Sequence, residues 1–114
     1  MNKVVKFGGS SLADAGQFKK VGAIIHDDSS RRYVIPSAPG KRFPSDIKVT
    51  DMLYQCYAKA VADMDFSELL TAIKDRYQEI IDELQLDLSL DKEFEIISEN
   101  FKNKIGKCYA ASRG

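Results

Sequence analysis

The chain has 114 residues, of which 44% are hydrophobic, and its 17 Lys+Arg balance 17 Asp+Glu to a formal net charge of zero. Zero net charge argues against bulk electrostatic binding to nucleic acid or to a membrane surface, and the apolar content excludes disorder throughout. No apolar run approaches the roughly 18 residues of a membrane-spanning helix. The opening Met-Asn-Lys-Val-Val-Lys-Phe-Gly-Gly lacks the apolar core of a secretory signal. Cys56 and Cys108 are too few for a disulfide framework or a zinc cage. No nucleic-acid partner, membrane partner or metal site is therefore expected, and the cytoplasm is the expected compartment.

Residues 1–50 hold all three prolines and read as strands and turns, whereas 51–108 contain one glycine, Gly106, and read as helix. Lys3–Phe7 is a short strand that stops at Gly8-Gly9. Ser11 and Asp14 have the spacing of a capping pair, which places a helix start there. Leu12, Ala15, Phe18, Val21 and Ile25 then share one helical face, and Asp27-Asp28-Ser29-Ser30 ends it. Tyr33-Val34-Ile35 is a second strand. Pro36 lacks an N–H, so the strand is expected to end early or to lie unpaired there. Ser37-Ala38-Pro39-Gly40 is a turn and Lys41–Lys48 a polar loop. Two short strands joined by a helix form a β-α-β unit, which predicts parallel pairing.

Three helices are predicted in the remainder. Val49, Leu53, Cys56, Ala60 and Met64 make the stripe of the first. Asp65-x-x-Glu68 starts the second, with Leu70, Ile73, Tyr77, Ile80 and Leu84 facing inward. Asp87-Leu88-Ser89 breaks it. Phe94, Ile97, Phe101, Ile105 and Cys108 line the third, and Ala111–Gly114 reads as a frayed tail. Both cysteines fall on stripes and are expected as core thiols. His26, at a helix end, complements the last carbonyls.

Chemistry is concentrated at Lys6-Phe7-Gly8-Gly9-Ser10-Ser11. Two glycines after a strand let the backbone turn sharply and bring N–H groups close to a ligand. The following helix start is expected to add positive field. With the Lys6 ammonium and the Ser10 hydroxyl, these parts suit a phosphoryl group, although neither a P-loop nor a dinucleotide fingerprint is present. On glycines alone, a plain strand–helix turn is an equal alternative. Ser37–Gly40 ends the second strand. In parallel sheets ligands bind beyond the carboxyl ends of strands, so both glycine turns are expected to open on one edge. Thr50, in Lys48-Val49-Thr50-Asp51, is a candidate helix N-cap.

In this order the segments resemble the N-terminus of the aspartate kinases, in the amino-acid kinase superfamily. Val5-Lys6-Phe7-Gly8-Gly9-Ser10-Ser11-Leu12-Ala13-Asp14 is similar to that family's opening signature. Arg32–Lys41 resembles its second strand and turn, Lys48–Tyr54 the start of its second helix, and Ser112-Arg113-Gly114 the beginning of its S-x-G-E motif. The resemblance implies an α/β fold, the N-terminal portion of a three-layer α/β/α kinase with a small parallel sheet and several helices. Residues 1–50 would carry the phosphate loop and 51–114 a helical segment. It implies transfer of the ATP γ-phosphoryl to L-aspartate, with Mg²⁺, giving 4-phospho-L-aspartate at the start of lysine, threonine and methionine biosynthesis. Lys6 would be catalytic and, with Gly8, Gly9 and Ser10, would bind phosphate, while Ser37 and Thr50 would contact aspartate.

The sequence departs from the family at Pro36, where a β-branched residue is usual, so the strand is expected to be distorted. The chain also stops one residue before the family's glutamate. The rest of the kinase domain and the regulatory domains are then expected to be absent, and the chain alone to be inactive. Sheet edges are then expected to be left unpaired and an apolar face uncovered, with self-association through those edges or through exposed helix stripes. Two alternatives remain: another superfamily member acting on glutamate, carbamate or a nucleotide, and a stand-alone helical interaction module.

Overall fold

β1 spans Lys3–Phe7 and β2 spans Arg31–Pro36, and they pair in parallel with Val4 opposite Tyr33 and Lys6 opposite Ile35. This computed structural model describes the backbone of residues 1–114 and every side chain except those of Lys107 and Cys108. The expected stripe position of the Cys108 side chain therefore lies outside the described residues. The chain forms two units, Met1–Lys48 and Val49–Gly114.

In the first unit, α1 spans Ala15–Asp27 and links the strands, so the β-α-β reading holds. The helix starts later than the Ser11–Asp14 pair suggests. Gly9–Leu12 forms a 3-10 turn, and Asp14 itself is the N-cap, its carboxylate accepting the Gln17 N–H at 2.9 Å. An extended Asp with φ −151° satisfies an orphan N–H directly, whereas the Ser11 N–H is engaged in the turn with the Gly8 carbonyl at 3.1 Å. His26 lies in the last turn of α1, as expected.

Pro36 does not shorten the strand. The Ser37 N–H donates to the Phe7 carbonyl at 3.0 Å, which carries the ladder past Pro36. Alternate residues of a parallel ladder turn their backbone groups to the same neighbour. The proline nitrogen therefore faces away from β1, where no donor is required. The only register shift lies at Lys3/Val4, so the expected distortion at Pro36 is absent.

The connection from α1 into β2 is fastened by Asp28. Its carboxylate pairs with Lys3 Nζ at 2.7 Å and accepts from the Ser30 hydroxyl at 2.6 Å and the Ser30 N–H at 2.9 Å. Lys3 first, then Ser30, hold this carboxyl well below the usual carboxylate range. Each strand has only one strand neighbour. The face bearing Val4, Tyr33 and Ile35 is exposed, at 64%, 57% and 52% respectively, so the expected uncovered apolar face is present.

The second unit contains four helices where three were predicted: α2 (Val49–Val61), α3 (Ser67–Glu83), α4 (Asp91–Lys102) and α5 (Lys107–Ser112). α2 packs against α3, α4 and α5 around Val49, Leu53, Cys56, Ile73 and Phe101, all fully buried. Phe101 meets Phe66 and Tyr109 edge-on, with centroids 5.7 and 6.1 Å apart. The predicted stripes hold except at their ends, because Met64 and Ile105 are exposed. α2, α3 and α4 each close with a Schellman motif. Asp63, Gln85 and Lys104 all sit at φ 56°, and the next amide reaches back five residues: Met64 to Lys59, Leu86 to Ile81 and Ile105 to Asn100. Met64, Leu86 and Ile105 thus occupy the position just beyond the cap, which favours an apolar residue, rather than a further helical turn.

Gly106, extended at ψ 171°, then starts α5. The tail expected to fray is held. The Tyr77 hydroxyl donates to the Gly114 carbonyl at 3.1 Å, and the Arg113 guanidinium lies 4.9 Å from the Tyr109 ring centroid.

Candidate functional site

The parallel ladder brings the carboxyl ends of β1 and β2 side by side, because Lys6 is level with Ile35 and Phe7 with Pro36. Lys6, Gly8, Gly9, Ser10 and Ser37 therefore collect on one rim of the sheet. Lys6 is exposed, in alternation with half-buried Val5 and Phe7. Gly8 continues the extended backbone at φ −76°, ψ 172°, and the 3-10 turn begins at Gly9.

The two glycine turns cross. The Gly40 N–H donates to the Gly9 carbonyl at 2.8 Å. A Cβ on Gly40 would fall 2.6 Å from the Gly9 carbonyl carbon, and one on Gly9 would fall 3.1 Å from the Ala38 carbonyl oxygen. Neither glycine has a positive φ, so close approach, and not conformational freedom, is what calls for glycine here. The sequence reading places the Ser37–Gly40 turn on this edge but assigns Gly40 itself no role. The available clue was a second glycine at the end of the neighbouring parallel strand.

α1 begins six residues beyond Gly9, and the Asp14 carboxylate accepts the N–H of Gln17 in its first turn at 2.9 Å. Lys6 brings a cationic side chain to the rim. One expectation about the site needs correction. Thr50 is not an N-cap, because α2 already begins at Val49 and places Thr50, half-buried, within its first turn. Thr50 belongs to the second unit.

The loop after Gly40 is stiffened by an unforeseen clamp. Arg42 meets Asp46 through Nε–Oδ2 at 2.6 Å and a second guanidinium bond at 3.0 Å, and its own N–H adds a third at 3.0 Å. Arg42 holds the Asp46 carboxyl well below its ordinary range. Cys56, in α2, is no nucleophile candidate, because burial pushes its thiol up to about 11.

The chain is 49% identical to the aspartate kinase of Clostridium acetobutylicum, whose crystal structure superposes on 97% of it with a TM-score of 0.94. That enzyme is described as allosteric and important for industrial amino acid production. The chain is also 48% identical over 88 residues, 77% of its length, to Aspartokinase 3 of Bacillus subtilis strain 168. The chain belongs to the aspartate kinase family. It spans about a quarter of the Clostridium chain and about a fifth of the Bacillus protein, 26% and 19% respectively. No protein-family model matches it. The aspartate kinase likeness and the small parallel sheet with several helices bear out the expected α/β fold. Among the described residues, no helix is long and apolar enough to cross a membrane.

Proposed function

We propose that this chain supplies the phosphate-handling rim of an aspartate kinase, which transfers the ATP γ-phosphoryl to the side-chain carboxylate of L-aspartate. The observation that carries the reading is the crossing of the Gly9 and Gly40 turns beside Lys6, at the carboxyl ends of parallel strands. In that reaction an aspartate carboxylate oxygen bonds to the γ-phosphorus, the bond to the β,γ-bridging oxygen breaks, and ADP leaves with the electron pair. Such transfers depend on positioning and charge stabilisation more than on covalent work by the protein. Lys6 would neutralise the equatorial oxygens. Gly8, Gly9 and Ser10 would hold phosphate through backbone N–H groups and a hydroxyl, and Ser37 and Thr50 would contact aspartate.

None of these rim residues is a carboxylate, and no cluster of three metal-ligating side chains occurs among the described residues. In this reading Mg²⁺ would be brought with the nucleotide and would offset phosphate charge beside Lys6. The reading also places the protein in the cytoplasm, at the first step of lysine, threonine and methionine biosynthesis. The chain alone is proposed to be inactive, given the small share of its relatives that it spans. Titration of the ¹⁵N-labelled chain with Mg-ATP tests phosphate handling, with amide shifts expected at Gly9 and Ser10. No shift there at millimolar nucleotide refutes it.

Self-association through the Val4–Tyr33–Ile35 face is part of the proposal, supported by that face's exposure. Sedimentation showing a folded monomer at high concentration would refute this part. The helical-module alternative loses ground, because the stripes of α2–α4 are spent within their own unit at Leu53, Cys56, Ile73 and Phe101.

A further inference from the structure

We propose that Gly40 is a positioning residue: its missing Cβ lets the second strand-end turn seat on Gly9 and so sets where the Gly9 and Ser10 amides point. The inference rests on the phosphate-handling role proposed above and assigns a task to a residue outside that set. A Cβ on Gly40 would lie 2.6 Å from the Gly9 carbonyl carbon, 2.9 Å from the Gly9 oxygen and 2.9 Å from the Ser10 nitrogen. All three atoms are backbone, so no flexible side chain can swing aside. The shortest contact is roughly 0.8 Å inside ordinary van der Waals approach. The turns must part, and the group pushed is the Ser10 amide itself.

The contact is unequal. A Cβ on Gly9 would meet Ala38 O at 3.1 Å and Gly40 Cα at 3.2 Å, which a shift of a few tenths of an ångström relieves. The Gly40 N–H to Gly9 carbonyl bond of 2.8 Å fixes the same approach from the polar side. Gly40 is buried and has no positive φ, so neither solvent exposure nor a left-handed backbone accounts for glycine there. Misplacing a positioning group by about 1 Å costs on the order of 10²-fold in rate.

The test compares ¹⁵N-labelled wild type, Gly40→Ala and Gly22→Ala, each titrated with Mg-ATP. Gly22 is the control, because an added Cβ there meets nothing within 4 Å. Gly40→Ala is expected to move the Gly9 and Ser10 resonances before nucleotide is added and to abolish their nucleotide-induced shifts. Gly22→Ala is expected to keep those shifts. If Gly40→Ala does not fold, the wild type carries the test: its Gly40 amide, bonded to the Gly9 carbonyl, is expected to shift with nucleotide in step with the Gly9 and Ser10 amides. A glycine with only a structural role would lower the melting temperature but leave the shifts at saturating nucleotide unchanged. That result, or a Gly40 amide that nucleotide leaves unmoved while Gly9 and Ser10 shift where the wild type stands in, overturns the inference while leaving the proposed function intact. Absence of shifts in the wild type refutes the proposed function, and the positioning role with it.

Discussion

Gln85→Gly should make the helical unit more stable. Gln85 ends α3 at φ 56°, with its N–H bonded to Asp82 O at 3.1 Å and the following Leu86 N–H bonded to Ile81 O at 3.0 Å. Its side chain is exposed. A non-glycine residue held in the left-handed region costs about 1–2 kcal/mol, because its Cβ crowds the following carbonyl. Glycine removes that cost but brings more freedom to the unfolded chain, worth roughly 0.5–1 kcal/mol. The net gain is about 0.5–1 kcal/mol, which corresponds to a rise of roughly 2–8 °C in melting temperature for a unit of this size. Thermal unfolding followed by far-UV circular dichroism reads it directly. Gln85→Val supplies the opposite sign, since a β-branched residue fits this region worst. A fall in melting temperature for Gln85→Gly, or no loss for Gln85→Val, would refute the account of these helix ends. Asp63→Gly and Lys104→Gly should gain less, because each also breaks the Lys104–Asp63 ion pair, 3.0 Å long. The two should not add independently.

Phe101→Ala should destabilise the helical unit by about 3–5 kcal/mol in chemical denaturation, since it empties a fully buried site between Phe66 and Tyr109. Cys56 should resist thiol reagents at pH 8 in the folded chain and react on unfolding, as peptide mass spectrometry would show. Its raised folded pKa favours the neutral form, so stability should fall as pH rises from about 9 toward about 11, and Cys56→Ala should flatten that decline. Asp28 has the opposite sign. Its folded pKa lies below the ordinary carboxylate value of 3.8, so its contribution is present above pH 3.8 and is lost as acid protonates it. Asp28→Asn should remove that part of the acid sensitivity of the β-α-β unit, read from amide exchange in β1 and β2.

The pattern of residues alone determined the β-α-β unit, its parallel pairing, the middle of every stripe in α2–α4 and the cluster of Lys6 with paired glycines. Strand composition and helical spacing are local, so they can be read from neighbours in the chain. Helix ends are hidden in the sequence where a Schellman turn lacks its usual glycine. With Asp, Gln or Lys at the left-handed position, Met64 and Ile105 look like one more turn of helix. Asp14 reads as half of a capping pair because spacing does not reveal which of two polar residues is extended.

Only the tertiary structure decided that Pro36 sits harmlessly in β2, since this depends on which side of the strand has a neighbour. It also decided that Gly40 touches Gly9. The two residues are far apart in sequence and meet only because the parallel ladder sets both strand ends level. A glycine required by close approach, without a positive φ, leaves no local mark in the sequence.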